Sequence, residues 1–174
     1  DLSITDCYSP ARGGGILNYG TLELRNVRLA RLTTGGSGGA ITSGDATTIE
    51  RDGTISSEEV LAVNDSVIER CTASSGGAVA AMSPWMRFSN TSFDACSANA
   101  SAAGGDVGDP EQDGGAIWLP QGALPVDLVI DRGSRFSNCI AARDGGAIQV
   151  SSSLGEGVHA LRLIDVALEG CRAG

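Results

Sequence analysis

Residues 64–79, Asn64-Asp65-Ser66-Val67-Ile68-Glu69-Arg70-Cys71-Thr72-Ala73-Ser74-Ser75-Gly76-Gly77-Ala78-Val79, carry two signatures that recur along the chain. The first is an Asn or Asp, then an apolar residue, then a cysteine. Its copies are Asp1-Ile4-Cys7, Asn26-Leu29-Leu32, Asn64-Ile68-Cys71, Asn90-Phe93-Cys96, Asp131-Phe136-Cys139 and Asp165-Leu168-Cys171. In each, the apolar residue stands three positions before the cysteine site, which Leu32 fills once. The second signature reads GGGI at 13–16, GGAI at 38–41, GGAV at 76–79, and GGAI again at 114–117 and 145–148. Recurrence every few tens of residues is the mark of a solenoid. A stack of coils offers long surfaces before it offers a pocket.

Each unit holds three short apolar segments. The first alternates: Leu22-Glu23-Leu24, Leu61-Ala62-Val63, Met86-Arg87-Phe88, Leu128-Val129-Ile130, Leu161-Arg162-Leu163. Period-two alternation reads as a strand with one buried face. The second segment carries the apolar residue and the cysteine, and the third is the Gly-Gly-Ala run. Three strands per turn with bends between them describe one coil of a parallel β-helix. Asn, Asp and Gly at the bends tolerate positive φ. The Gly-Gly pair turns where a Cβ would collide with the next coil. The expectation is an all-β, right-handed parallel β-helix of about five to six coils, with residues 1–174 forming a single segment.

Unit lengths vary locally. Insertions fall at 42–59, 97–113 and 149–160, in stretches rich in Gly, Ser and Asp, as solvated loops are. The chain opens at a corner position and stops where the next GGA is due. Neither end shows a cap, so the chain reads as a fragment of a longer solenoid, or as one covered by another chain. No signal-peptide pattern opens it.

The net charge is −9, and all twelve basic residues are Arg. An acidic chain without a basic stripe argues against nucleic-acid binding. No apolar run approaches a membrane span, and no cofactor is implied. Cys7, Cys71, Cys96, Cys139 and Cys171 share one column. Parallel strands stack at about 4.8 Å, within the Cα separation of roughly 4.4–6.8 Å that a disulfide needs. In-register side chains point the same way, which opposes bridging. A buried ladder of free thiols and one or two disulfides both stand as readings. The column has no His and no CxxC spacing, so metal binding is disfavoured.

The combination of the apolar-cysteine spacing with GGA[IV] resembles the repeats of the polymorphic outer-membrane-protein family. Those repeats carry GGAI and FxxN motifs in a right-handed parallel β-helix. The copy that fits best is Phe136-Ser137-Asn138 followed by Gly145-Gly146-Ala147-Ile148. Phe93-Asp94-Ala95-Cys96 has Cys where the family often has Asn, a departure shared by most copies. The resemblance spans nearly the whole chain. It implies a structural or adhesive segment of a large extracellular or cell-surface protein. Its partners would be other proteins, further coils of the same parent chain, or glycans.

Several side chains are candidates for more. Asp113 and Asp144 each precede a Gly-Gly pair and are expected to stack. Carboxylates held about 5 Å apart serve retaining glycoside hydrolysis, so a carbohydrate-active β-helix is the alternative reading. Asp-Gly is equally a good turn pair. Asp106, Asp109, Glu111 and Asp113 offer oxygen ligands for Ca²⁺, although their spacing matches no EF-hand or RTX pattern. Trp118 is expected to point outward in a column with Leu17, Thr42, Ala80 and Gln149. There it would present a sugar-stacking or interface ring, or else pack beneath the insertion after Leu119. Trp85 should precede its strand and cover a coil edge. Three sequons occur, and Asn99 lies in an insertion, which makes it the glycosylation candidate. Asn64 and Asn90 are expected to bond backbone in their bends. His159 stands alone, without a nucleophile or metal cluster.

Overall fold

In a computed structural model the chain is all-β, and residues 2–44, 60–99, 113–120, 127–151 and 160–174 are described. Its strands stack in parallel into four columns. Sheet 1 holds Leu2–Thr5, Val27–Ala30, Val67–Glu69, Ser92–Asp94, Arg135–Ser137 and Ala167–Glu169. Sheet 2 holds Tyr8–Ser9, Thr33–Thr34, Thr72–Ala73, Ser97–Ala98, Ile140–Ala141 and Arg172–Ala173. Sheet 3 stacks Ile16–Asn18, Ile41–Ser43, Val79–Ala81, Ile117–Leu119 and Ile148–Val150. Sheet 4 stacks Leu22–Arg25, Val60–Asn64, Trp85–Ser89, Asp127–Asp131 and Ala160–Leu163. The chain visits the four sheets in turn, so each strand pairs with its counterparts one repeat away. Such stacking is consistent with a β-solenoid.

The repeat therefore has four strands where the sequence suggests three. The second apolar segment is split by a residue at positive φ just before the cysteine site: Asp6, Arg31, Arg70, Ala95, Asn138 and Gly170. The chain turns there, and the two residues after the cysteine position form sheet 2. Four of these six are Asp, Arg or Ala rather than Gly or Asn, so the turn carries little signature. A second left-handed column lies between sheets 4 and 1, at Asn26, Asp65, Asn90, Arg132 with Gly133, and Asp165. The corner thus falls on Asp65 and on Arg132-Gly133, one step beyond the Asn64 and Asp131 that the sequence suggests. Asn64 and Asp131 instead end their strands, in register with Ser89.

The third bend is built from the Gly-Gly pairs. Gly13, Gly38, Gly76, Gly114 and Gly145 all have positive φ. The glycine after each is held by space. A Cβ on Gly77 would lie 2.3 Å from the carbonyl oxygen of Gly115 and 2.5 Å from backbone atoms of Ser97. One glycine therefore permits the turn, and the next lets coil stack on coil.

The core is a set of aliphatic ladders, with the expected register. Ile4, Leu29, Ile68, Phe93, Phe136 and Leu168 form one ladder. Phe93 stacks on Phe136 with ring centroids 4.6 Å apart and planes 3° from parallel. Leu61, Met86 and Leu128 form another, with Val63, Phe88 and Ile130 beside it. Each fully buried side chain of this kind contributes about 1.5–3 kcal/mol. In sheet 3, the strands Ile41–Ser43, Val79–Ala81 and Ile117–Leu119 are buried on both faces.

Candidate functional site

The cysteine column is the most regular chemical feature of the described chain. Thr72 pairs with Ser97, Ser97 with Ile140, and Ile140 with Arg172. These pairings bring Cys71, Cys96, Cys139 and Cys171 onto successive rungs. Cys7 is set apart, with Leu32 on the rung between it and Cys71. All five thiols are free; Cys71, Cys96 and Cys139 are buried, while Cys7 and Cys171 are partly exposed. Of the two sequence readings, the structure takes the free-thiol ladder. Among the described residues, no group of three or more His, Cys, Asp or Glu side chains is placed to hold a metal ion.

Each thiol also has a local task. It follows a left-handed residue and donates to the carbonyl two positions back. Cys7 Sγ donates to Thr5 at 3.3 Å, Cys71 to Glu69 at 3.3 Å, Cys96 to Asp94 at 3.5 Å and Cys139 to Ser137 at 3.5 Å. These carbonyls face a bend, and the thiol satisfies them without bringing a strongly polar group into the core. Hydrogen bonding with the neighbouring thiols of Cys139 and Cys71, together with burial, pushes the Cys96 pKa well above the ordinary thiol value. Cys96 therefore stays protonated at neutral pH.

Asp113 and Asp144 do stack, but they do not form an open acidic pair. Asp113 is 7% exposed. Its Oδ1 accepts the backbone N–H of Asp144 at 3.2 Å, while the Gly114 N–H donates to the Asp144 carbonyl at 2.9 Å. The two bonds staple adjacent coils. Burial raises the Asp113 pKa despite the Asp144 N–H and the charge of Arg143. The Asp144 carboxylate is exposed, 4.0 Å from Arg143.

Outside the coils, arginines bridge rungs. Arg31 pairs with Asp6, Arg28 with Glu69, Arg87 with Asp131, Arg162 with Asp127 and Arg135 with Glu169. Where both partners are exposed, as in Arg31–Asp6 and Arg135–Glu169, such a pair contributes only about 0–1 kcal/mol.

The remaining candidates sort differently. Trp118 keeps its column, paired with Ala80 and Gln149, but it is 4% exposed and packs with Ala80 and Met82. It is not a free interface ring, because strand parity sets which side a residue faces, not whether that side is covered. Trp85 corrects the other expectation: it is the first residue of its strand and 53% exposed. Asn90 donates to the Asp65 carboxylate at 2.8 Å, rather than to backbone. Asn99 is partly exposed, and its N–H donates to the Ala73 carbonyl at 2.7 Å. Asp106, Asp109, Glu111 and His159 lie outside the described residues.

The sequence reading missed the hydroxyl column. Ser66, Thr91 and Ser134 follow the left-handed column between sheets 4 and 1 and are buried. Ser66 Oγ donates to the Asn64 carbonyl at 2.6 Å and accepts the Val27 N–H at 3.1 Å. Ser134 Oγ likewise donates to the Asp131 carbonyl at 2.7 Å and accepts the Thr91 N–H at 3.1 Å. A hydroxyl residue after the three central corners was the available signal; Val27 and Val166 stand there in the outer coils.

No protein-family model, no curated protein and no solved structure matches the chain. Among the described residues, no helix is long and apolar enough to cross a membrane.

Proposed function

We propose that the chain is a right-handed parallel β-helix segment of a large extracellular or cell-surface protein, acting as a stiff, non-catalytic scaffold or adhesive module. One observation carries this reading. The in-register stack runs from Leu2 to Ala173, and its regular features are spent on the stack itself. The thiols and hydroxyls cap bends, Asp113 staples coils, and the arginines bridge rungs. The resemblance of the GGA[IV] and apolar-cysteine repeats to polymorphic outer-membrane proteins supports the location and the adhesive role. Partners would bind along the outer faces or extend the stack.

The test is antibody labelling of intact source cells with serum raised against this segment. Surface signal without permeabilisation is expected. Signal that appears only after permeabilisation overturns the reading.

A carbohydrate-active role for Asp113 and Asp144 is favoured by one observation: the raised Asp113 pKa suits a general acid. Against it stands the coil-stapling bond that Asp113 already makes. If it holds, the protein releases products from polyuronates or other glycans, and Asp113→Asn abolishes that release.

A further inference from the structure

The outer face of sheet 4 carries an exposed ring that the stack does not use. Trp85 and Arg87 alternate with the buried Met86 and Phe88, so they point away from the core. Trp85 is in register with Asp127. Arg87 is in register with Ala62 and Val129, and Arg162 stands on the rung beyond. Arg87 reaches across one rung to Asp131, and Arg162 reaches back to Asp127 at 3.5 Å. The face is thus an exposed aromatic ring beside the small apolar Ala62 and Val129, rimmed by two ion pairs of zero net charge.

A pyranose ring matches this surface. Its faces carry C–H groups, which lie on an aromatic ring, and its rim carries hydroxyls that both donate and accept. Carboxylates accept and guanidiniums donate, so the two ion pairs answer both needs. Arg87 and Arg162 stay about half exposed, and a guanidinium has more N–H donors than one carboxylate engages. Asp127 Oδ1 is buried and has no hydrogen-bond partner among the described residues. That lack is costly, and the exposed Trp85 and Arg162 beside it can shift to admit a donor.

Charge and size narrow the class. The face is balanced and the whole chain carries −9. An acidic glycan would meet a repulsive field and would have to take each arginine from its aspartate. Hexoses with equatorial hydroxyls keep their C–H faces flat enough to lie on the ring. Five strands make up the sheet, and strands of this length give a face about 16 Å wide and about 19 Å tall. That is well short of the roughly 800 Å² each partner buries in a stable protein pair, but it holds several sugars.

We propose that Trp85, Arg87, Asp127 and Arg162 form a binding platform for uncharged glycans of hexoses with equatorial hydroxyls, with Trp85 as the stacking ring. This names a partner class for the adhesive role proposed above.

The test titrates cellohexaose into the full chain and follows the indole N–H signals of its two tryptophans by nuclear magnetic resonance. The Trp85 signal is expected to shift to saturation, and that of the buried Trp118 to stay. By calorimetry, Trp85→Ala should weaken binding at least about tenfold, while Trp85→Phe keeps most of it. An unmoved Trp118 signal in each variant shows that the fold persists. On the unmutated chain, hexagalacturonate should leave the Trp85 signal in place. No response of Trp85 to cellohexaose, as a face built for a protein would give, overturns the platform. So does equal binding of hexagalacturonate, or binding kept in Trp85→Ala. Binding through Trp85 in a protein that antibodies reach only after permeabilisation upholds the platform and removes the cell-surface reading alone.

Discussion

Ser66 and Cys71 make the same bond at successive bends of one coil. Each follows a residue at positive φ, Asp65 at 50° and Arg70 at 53°. Each donates to the carbonyl two positions back, Ser66 at 2.6 Å and Cys71 at 3.3 Å. The bends differ in what else the side chain meets. Ser66 also accepts the Val27 N–H, whereas Cys71 belongs to the apolar core cluster. A hydroxyl serves where an N–H as well as a carbonyl needs a partner, and a thiol serves where only carbonyls do and apolar contact is wanted.

Removing the hydroxyl at the first bend should therefore be costly. Ser66→Ala leaves the Asn64 carbonyl and the Val27 N–H without that partner, which costs about 1–3 kcal/mol. A fall in the urea midpoint at unchanged slope would register it. Ser66→Thr should recover most of the loss, since Thr91 already fills the equivalent position.

The stacking glycines should separate sharply from a loop glycine. Gly77→Ala places its Cβ 2.3 Å from the Gly115 carbonyl oxygen. Backbone must shift in two coils, at a cost of about 3 kcal/mol or more. Gly20→Ala meets nothing within 4 Å and should stay within about 0.5 kcal/mol. Thermal melts of the two variants side by side make the comparison.

Two carboxylates should give opposite pH dependences. Burial alone would raise Asp131, but the Arg87 guanidinium, the Ser89 hydroxyl and the charge of Arg132 together outweigh it and hold the pKa below 3.8. Its contribution is full above the unfolded value and is lost as pH falls through the folded one. The Asp113 pKa is raised above 3.8, so folding favours its protonated form. That contribution is full below 3.8 and is lost as pH rises through the folded value. In urea midpoints measured across the acidic range, Asp131→Asn should flatten the low-pH limb. Asp113→Asn should flatten the limb above it.

Thiol labelling should follow burial. Cys7 and Cys171 should react with iodoacetamide in the native state. Cys71, Cys96 and Cys139 should react only once the chain unfolds. Peptide mapping of the alkylated protein distinguishes the two groups.

Much of the fold was legible because the ladders repeat in composition. The register of Ile4, Leu29, Ile68, Phe93, Phe136 and Leu168 follows from their fixed distance to the cysteine site. The fourth sheet was not legible. Its boundary is a positive φ carried by Arg31, Arg70 and Ala95, residues that signal no turn. Asn64 and Asp131 misled because a corner can fall one residue later without changing the hydrophobic pattern. The fate of Trp118 was hidden for another reason: alternation assigns a face, while burial depends on what lies over that face. The double role of Asp113, as turn residue and coil staple, needed the neighbouring coil to be placed.

The stack itself is open to one direct measurement. The chain has three phenylalanines, so their ring signals are simple to assign by nuclear magnetic resonance. Phe93 should show cross-peaks to the Phe136 ring, 4.6 Å away in the next coil, and to the Ile68 methyls of the preceding one. It should also meet the Phe88 ring of its own coil, 5.3 Å away. Cross-peaks from Phe93 to Phe88 alone, with none to Phe136 or Ile68, would contradict the stacked-coil architecture.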